Sequence, residues 1–139
     1  MWILDTNALS ELVAITPTVD VVARIQALPE NAVYTTAITE AEIFYGIERL
    51  PVGRRRDNLR IAIEAVFSED LAGRVLAFDS RSARVYGRLL ATRRVSGRPM
   101  SQSDVQIAAI AIAYRATLVT RNTRDFANSG IELLNPWLA

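Results

Sequence analysis

Met1-Trp2-Ile3-Leu4-Asp5-Thr6-Asn7 opens the chain, and the change of character at its fifth residue decides the fold. The apolar run Met1-Trp2-Ile3-Leu4 suits a short buried strand. Asp5, Thr6 and Asn7 are residue types that open helices. The same passage from apolar run to polar helix start recurs. Residues 33–35 lead towards Thr39-Glu40-Ala41-Glu42, and Thr117-Leu118-Val119-Thr120 leads into Asn122-Thr123-Arg124-Asp125.

Working outward, strands are expected at 2–4, 33–35, 75–78, 117–119 and 131–134. Helical patterns fill 7–13, 18–28, 38–49, 54–69, 80–96 and 103–115. Strand–helix alternation of this kind predicts an α/β fold, a parallel sheet with helices on both faces. Pro51-Val52-Gly53 and Gly97-Arg98-Pro99 read as turns. No repeat, linker or low-complexity tract interrupts the pattern, so residues 1–139 are read as one domain.

Half of the 139 residues are hydrophobic and 22% are charged, which argues against disorder. No basic segment precedes an apolar stretch at the start, and the longest apolar run is too short to span a bilayer. A cytoplasmic protein without a membrane partner is the expectation. The chain has no cysteine and no histidine, so disulfides, thiol chemistry and imidazole ligands are absent. All 16 of its basic residues are arginine. Without lysine there is no Walker-type phosphate loop and no Schiff-base chemistry. Guanidinium groups, however, match phosphate well.

Polar chemistry must therefore run on carboxylates, hydroxyls, amides and arginine. Asp5, Glu42, Asp104 and Asp125 stand out. Each taken alone also fits a helix cap, since Thr39-Glu40-Ala41-Glu42 and Ser101-Gln102-Ser103-Asp104 both match the capping box. Topology favours more than capping. In an open parallel sheet, ligands bind beyond the carboxyl ends of the strands. Asp5 and Asp125 follow strands, and Glu42 lies a helical turn beyond another. Asp104 follows a helix, but it tops an apolar stripe with Ile107, Ala108 and Ala111 that must face the core. Carboxylates brought together repel and raise one another's pKa unless a cation joins them. An all-oxygen set suits Mg²⁺ or Mn²⁺ and does not suit zinc. Magnesium usually takes one or two carboxylates directly, so Asp5 and Asp104 are expected as direct ligands. Glu42 and Asp125 are expected to act directly or through water. The implied chemistry is metal-assisted hydrolysis of a phosphodiester.

Leu4-Asp5-Thr6-Asn7, Thr39-Glu40-Ala41-Glu42, Ser103-Asp104 and Val119-Thr120-Arg121-Asn122-Thr123-Arg124-Asp125-Phe126 resemble the four acidic motifs of PIN domains. Within that family the chain is most similar to VapC toxins of the FitB-like branch, which the closing Asn135-Pro136-Trp137 also resembles. The resemblance runs the length of the chain. It implies a three-layer α/β/α fold, a Mg²⁺- or Mn²⁺-dependent ribonuclease acting on RNA, and a homodimer. It further implies a cognate antitoxin of the VapB or FitA type, which would connect the chain to operator DNA. Some FitB-like proteins carry an acid where this chain has Asn122. The fourth acidic position therefore lies between Asp125 and Asn122, and Asp125 is favoured because an amide supplies no charge. Thr6 and Thr120, adjacent to the acids, either orient carboxylates, hold water, or are ordinary turn and strand-end hydroxyls.

Arg54-Arg55-Arg56 with Arg60, and Arg93, Arg94 and Arg98, read as solvated helix faces or as contacts to an RNA backbone. Arg121 and Arg124 flank Asp125, either pairing with acids or steering phosphate. Glu40 reads as a surface acid and Asp79 as the cap of the helix beginning near Ser80. The 38–49 helix carries Ile38, Ile43, Phe44, Tyr45 and Ile47, more apolar residues than one buried stripe needs. With the 54–69 helix it is expected to form a groove for a partner segment. Two rival functions remain at this level. One is a metal-dependent phosphatase, disfavoured by Asn7 where a second acid is usual and by the missing lysine. The other is a non-catalytic partner in a DNA-binding autoregulatory complex.

Overall fold

The computed structural model describes residues 1–96 and 100–138, of residues 94–96 the main chain only. The turn expected at 97–99 and the side chains of Arg94 and Arg98 lie outside those residues. Five strands form one sheet: β1 (Trp2–Leu4), β2 (Val33–Thr36), β3 (Val75–Leu76), β4 (Thr117–Val119) and β5 (Glu132–Leu134). Their order is β3-β2-β1-β4-β5 and every pairing is parallel. The chain starts at the centre, fills one side, then returns to fill the other. The strand order therefore reverses between β1 and β4, where α/β sheets hold their ligands.

Among the described residues seven α-helices cover the sheet: α1 (Thr6–Leu12), α2 (Val19–Gln26), α3 (Ala37–Glu48), α4 (Arg54–Ala65), α5 (Ser80–Ser96), α6 (Gln102–Ala113) and α7 (Thr123–Phe126). The period-2 alternation of the central strands divides the core into two. Leu4 and Val119 face a cluster with Leu9, Val21, Ile43, Ile47 and Ile63, built from α1 to α4. Ile3 and Leu118 face the opposite cluster with Leu89, Val105, Ile107, Ile110 and Phe126, built from α5, α6 and α7. These two apolar layers around a parallel sheet make the α/β/α sandwich. Among the described residues no helix is long and apolar enough to cross a membrane.

Three sequence expectations shift. The helix expected over 54–69 is α-helical only to Ala65; Val66–Asp70 forms a wider turn in which the Leu71 N–H reaches back to the Val66 carbonyl at 2.8 Å. That spacing brings Val66 and Leu71, both buried, into the same core cluster. The third strand stops at Leu76, and Phe78 turns to meet Tyr86 edge-on with ring centroids 5.7 Å apart. The third correction concerns α3. Its N-cap is Thr36, whose hydroxyl oxygen accepts the Thr39 N–H at 3.1 Å, so Thr39 sits inside the helix. The capping pattern matched only at Thr39, whereas β2 stops pairing at Thr36, which takes the cap.

Candidate active site

Asp5 leaves β1 at the centre of the sheet. Its own N–H extends the ladder to the Val119 carbonyl at 3.1 Å. Its Oδ1 caps α1 by accepting the Ala8 N–H at 2.9 Å, as the sequence suggested. Its Oδ2 accepts the Thr120 hydroxyl at 2.5 Å. Thr120 is fully buried at the end of β4, and its oxygen also accepts the Asn122 N–H at 3.0 Å. One hydroxyl thus joins the first acid to the loop that carries the last.

The second acid is held in the same way. Thr6, first residue of α1, donates its hydroxyl to Glu42 Oε1 at 2.6 Å, with the buried Thr39 hydroxyl 3.3 Å away. Of the alternatives open for Thr6 and Thr120, the structure gives each a carboxylate to orient. Asp104 enters α6 just after its cap, and its N–H donates to the Ser101 hydroxyl at 3.1 Å. Asp125 is exposed on the short α7, while its neighbour Phe126 is buried in the core. Asn122 is exposed; its main-chain amide, not its side chain, makes the local contact.

The four carboxylates are near enough for their charges to act on one another. Burial pushes the Asp5 carboxyl above its ordinary 3.8; the Thr120 and Ala8 hydrogen bonds oppose this, and the charge of Asp104 adds to it. Asp104 is raised by its own burial, opposed by the Ser101 hydroxyl, and raised further by Glu42 and Asp125. Asp104, whose place was hardest to derive because it follows a helix, is thus the acid coupled to all three others. Among the described residues no arginine forms an ion pair with any of the four. Arg121, which flanks the site, lies over the Trp137 ring at 5.4 Å instead, and the closing turn is tied to α2 by Arg24 Nη1 donating to the Pro136 carbonyl at 2.7 Å. Asp79 caps α5 through the Ser82 N–H at 2.9 Å, as expected, and takes no part here.

A family model for the PIN domain matches residues 2–130. The chain belongs to the PIN-domain family. The VapC ribonuclease Y4jK of Sinorhizobium fredii is 39% identical over 137 residues, covering 99% of this PIN domain and 98% of that protein. Toxin FitB of Neisseria gonorrhoeae is 34% identical over 137 residues, covering 99% of each. A solved structure of FitAB bound to a DNA fragment superposes with a TM-score of 0.92 at 33% identity, covering all of this chain and 97% of that one.

The donor chemistry of this PIN domain fits a hard divalent cation. The site supplies only oxygen, and a buried carboxylate beside other carboxylates has its charge opposed by nothing stronger than hydroxyl and amide dipoles. Among the described residues no three acids stand close enough to hold one ion between them as the side chains lie. An ion taken by one or two carboxylates, with water completing its shell, meets that geometry.

Thr6 and Glu42 also line a groove of about 810 Å³ between α1, α3 and α4. Val13, Ile43, Ile47 and Leu59 line it, together with the exposed Arg54 and Arg55. The groove expected from the crowded 38–49 helix is present, although most of that crowding has another cause. Phe44 packs on Phe67 with centroids 5.8 Å apart, and Ile38 turns to the opposite core cluster. Tyr45 alone stays exposed, under the Arg49 guanidinium. Arg56 and Arg60 both pair with Glu48, at 2.5 and 2.6 Å, which accounts for half of the basic start of α4. Sequence reasoning missed Thr36, the cap of α3, and read Thr39 only as a cap, whereas its hydroxyl stands 3.3 Å from that of Thr6.

Proposed function

We propose that this chain is the toxin of a toxin–antitoxin pair and acts as a divalent-metal-dependent endoribonuclease. The observation that carries the proposal is the nearness of Asp5, Glu42, Asp104 and Asp125 beyond the β1/β4 switch point, where Asp104 raises Asp5 and is itself raised by Glu42 and Asp125. Family membership over nearly the whole chain, and relatives named as a ribonuclease and a toxin, support the same assignment.

Asp5 and Asp104 would hold Mg²⁺ or Mn²⁺ directly, with Glu42 and Asp125 directly or through water. When bound, such an ion lowers the pKa of a coordinated water and neutralises phosphate charge. The remaining roles belong to the chain. Thr120 and Thr6 fix the rotamers of Asp5 and Glu42, so that charge is presented to the phosphodiester without reorganisation. In the reaction a water oxygen bonds to phosphorus, one phosphorus–oxygen bond to ribose breaks, and the ribose leaves as an alcohol. The apolar groove that Thr6 and Glu42 help to line would take a segment of the antitoxin, which connects the complex to operator DNA. A homodimer in the cytoplasm completes the proposal.

Purified protein incubated with total RNA tests it, with Mg²⁺, with Mn²⁺ and with EDTA, beside Asp104→Asn. Discrete fragments that need metal and vanish in the folded variant are expected. Growth arrest on expression should likewise disappear in Asp5→Asn and Asp104→Asn. Toxicity retained in both variants overturns the nuclease assignment.

A further inference from the structure

Arg93 lies on α5, 32 residues before Asp125, and has a relative exposure of only 5%. Its guanidinium faces the end of α7. Nη2 donates to the Asp125 carbonyl, Nη1 donates to the Ala127 carbonyl at 3.3 Å, and Nε lies 3.0 Å from Met100 Sδ. The last carbonyls of any helix lack intrahelical donors, and a cation there is favoured by the helix dipole. A four-residue helix such as α7 has little hydrogen bonding of its own to hold it.

We propose that Arg93 is a positioning residue for the nuclease site: by clamping the Asp125 and Ala127 carbonyls it sets where the Asp125 carboxylate stands relative to Asp104. The inference rests on the assignment of Asp125 to the site. Two other tethers leave this job undone. Thr120 holds the start of the loop through the Asn122 N–H, and Phe126 anchors α7 in the core; the Asp125 N–H bonds the Asn122 carbonyl at 3.1 Å, but neither tether holds the Asp125 and Ala127 carbonyls. The clamp requires a planar fork. Two donors must meet two carbonyls two residues apart, which guanidinium does with one rigid group and an ammonium on a flexible stem does not. Arginine also brings a positive charge to the main-chain side of Asp125 while leaving the carboxylate free to face the other acids.

The test is Mn²⁺ binding to the purified protein, followed by calorimetry, for wild type, Arg93→Lys, Asp125→Asn and the double variant. Residues that orient a metal's ligands typically contribute about 10- to 100-fold in affinity or activity. Arg93→Lys is therefore expected to weaken Mn²⁺ binding about tenfold, and to change it by less than about twofold once Asp125 is already Asn. Arg93→Gln, which keeps one donor to the carbonyls, is carried alongside in case the lysine variant does not fold, with an intermediate loss expected. An equal loss in both backgrounds, or a lowered melting temperature with unchanged Mn²⁺ affinity, shows a structural role only and overturns the proposal. If Asp125→Asn alone leaves Mn²⁺ binding and RNA cleavage as in wild type, it is the assignment of Asp125 that fails, and the role of Arg93 with it.

Discussion

Thr120 donates its hydroxyl to Asp5 Oδ2 across 2.5 Å, joining the ends of the two strands between which the sheet reverses its order. Both residues are buried, so the bond acts without competition from water. It makes the first acid of the site and the loop of the last acid parts of one hydrogen-bonded unit.

Thr120→Val keeps the shape and removes the donor. The Asp5 oxygen then loses its partner, and the Asn122 amide loses its acceptor. Leaving a buried acceptor unsatisfied costs about 1–3 kcal/mol, which denaturant unfolding would detect. RNA cleavage should fall about 10- to 100-fold, because a misoriented ligand weakens the site. Thr120→Ser should restore most of both; a fully active and stable Thr120→Val protein would contradict the role given to this hydroxyl.

Asp5 is a liability to the metal-free fold. Its carboxyl is raised above 3.8 by burial, so the folded state holds the proton more tightly than the unfolded chain does. Stability therefore falls as pH rises from 3.8 through the folded value and stays lower above it. Asp5→Asn should melt at a higher temperature than wild type at neutral pH in EDTA, with the gap closing as the pH is lowered to 3.8 and below. Mg²⁺ or Mn²⁺ should stabilise wild type and leave the variant unmoved. Thermal melts across pH, with and without metal, check each part.

The groove offers a site where partner binding and catalysis separate. Ala62 lines it and is exposed, so Ala62→Glu should fold normally. An unpaired carboxylate placed against an apolar partner face should weaken antitoxin binding at least about tenfold, equivalent to about 1.4 kcal/mol. Metal-dependent RNA cleavage by the free protein should be unchanged, while co-expressed antitoxin should no longer relieve growth arrest. Normal neutralisation of Ala62→Glu would place the antitoxin elsewhere.

Away from the site, Asp79 is lowered from 3.8 to about 2, chiefly by the hydrogen bond from the Tyr114 hydroxyl, with help from Ser82. Arg81 covers the Tyr114 ring at 5.4 Å, so the start of α5 and the end of α6 are tied at one point. A depressed acid stabilises the fold fully above 3.8, and that contribution disappears as pH falls through about 2. Tyr114→Phe should be less stable than wild type at neutral pH, and the difference should shrink over that acid window. Parallel curves down to the lowest pH would mean the hydroxyl acts by packing alone.

Much of the fold was legible because it rests on short-range patterns. Apolar runs of three or four residues followed by polar helix starts required a parallel α/β sheet. The two-residue alternation of Ile3 with Leu4, and of Leu118 with Val119, required helices on both faces. The caps at Asp5 and Ser101 were readable because each side chain bonds an amide three residues on. The cap of α3 was not, since the capping pattern matched at Thr39 and only the end of strand pairing gives the cap to Thr36.

By itself the sequence determined the inventory: oxygen ligands without histidine or cysteine, cations that are all arginine, and acids at strand ends and helix starts. Tertiary structure alone decided the partnerships. Thr6 meets Glu42 from 36 residues away, Thr120 meets Asp5 from 115, and Arg93 meets the Asp125 carbonyl from 32. Strand order and helix packing create those contacts, and no local spacing encodes them. A hydroxyl or guanidinium carries no mark of its partner until the sheet reverses direction and brings the two together.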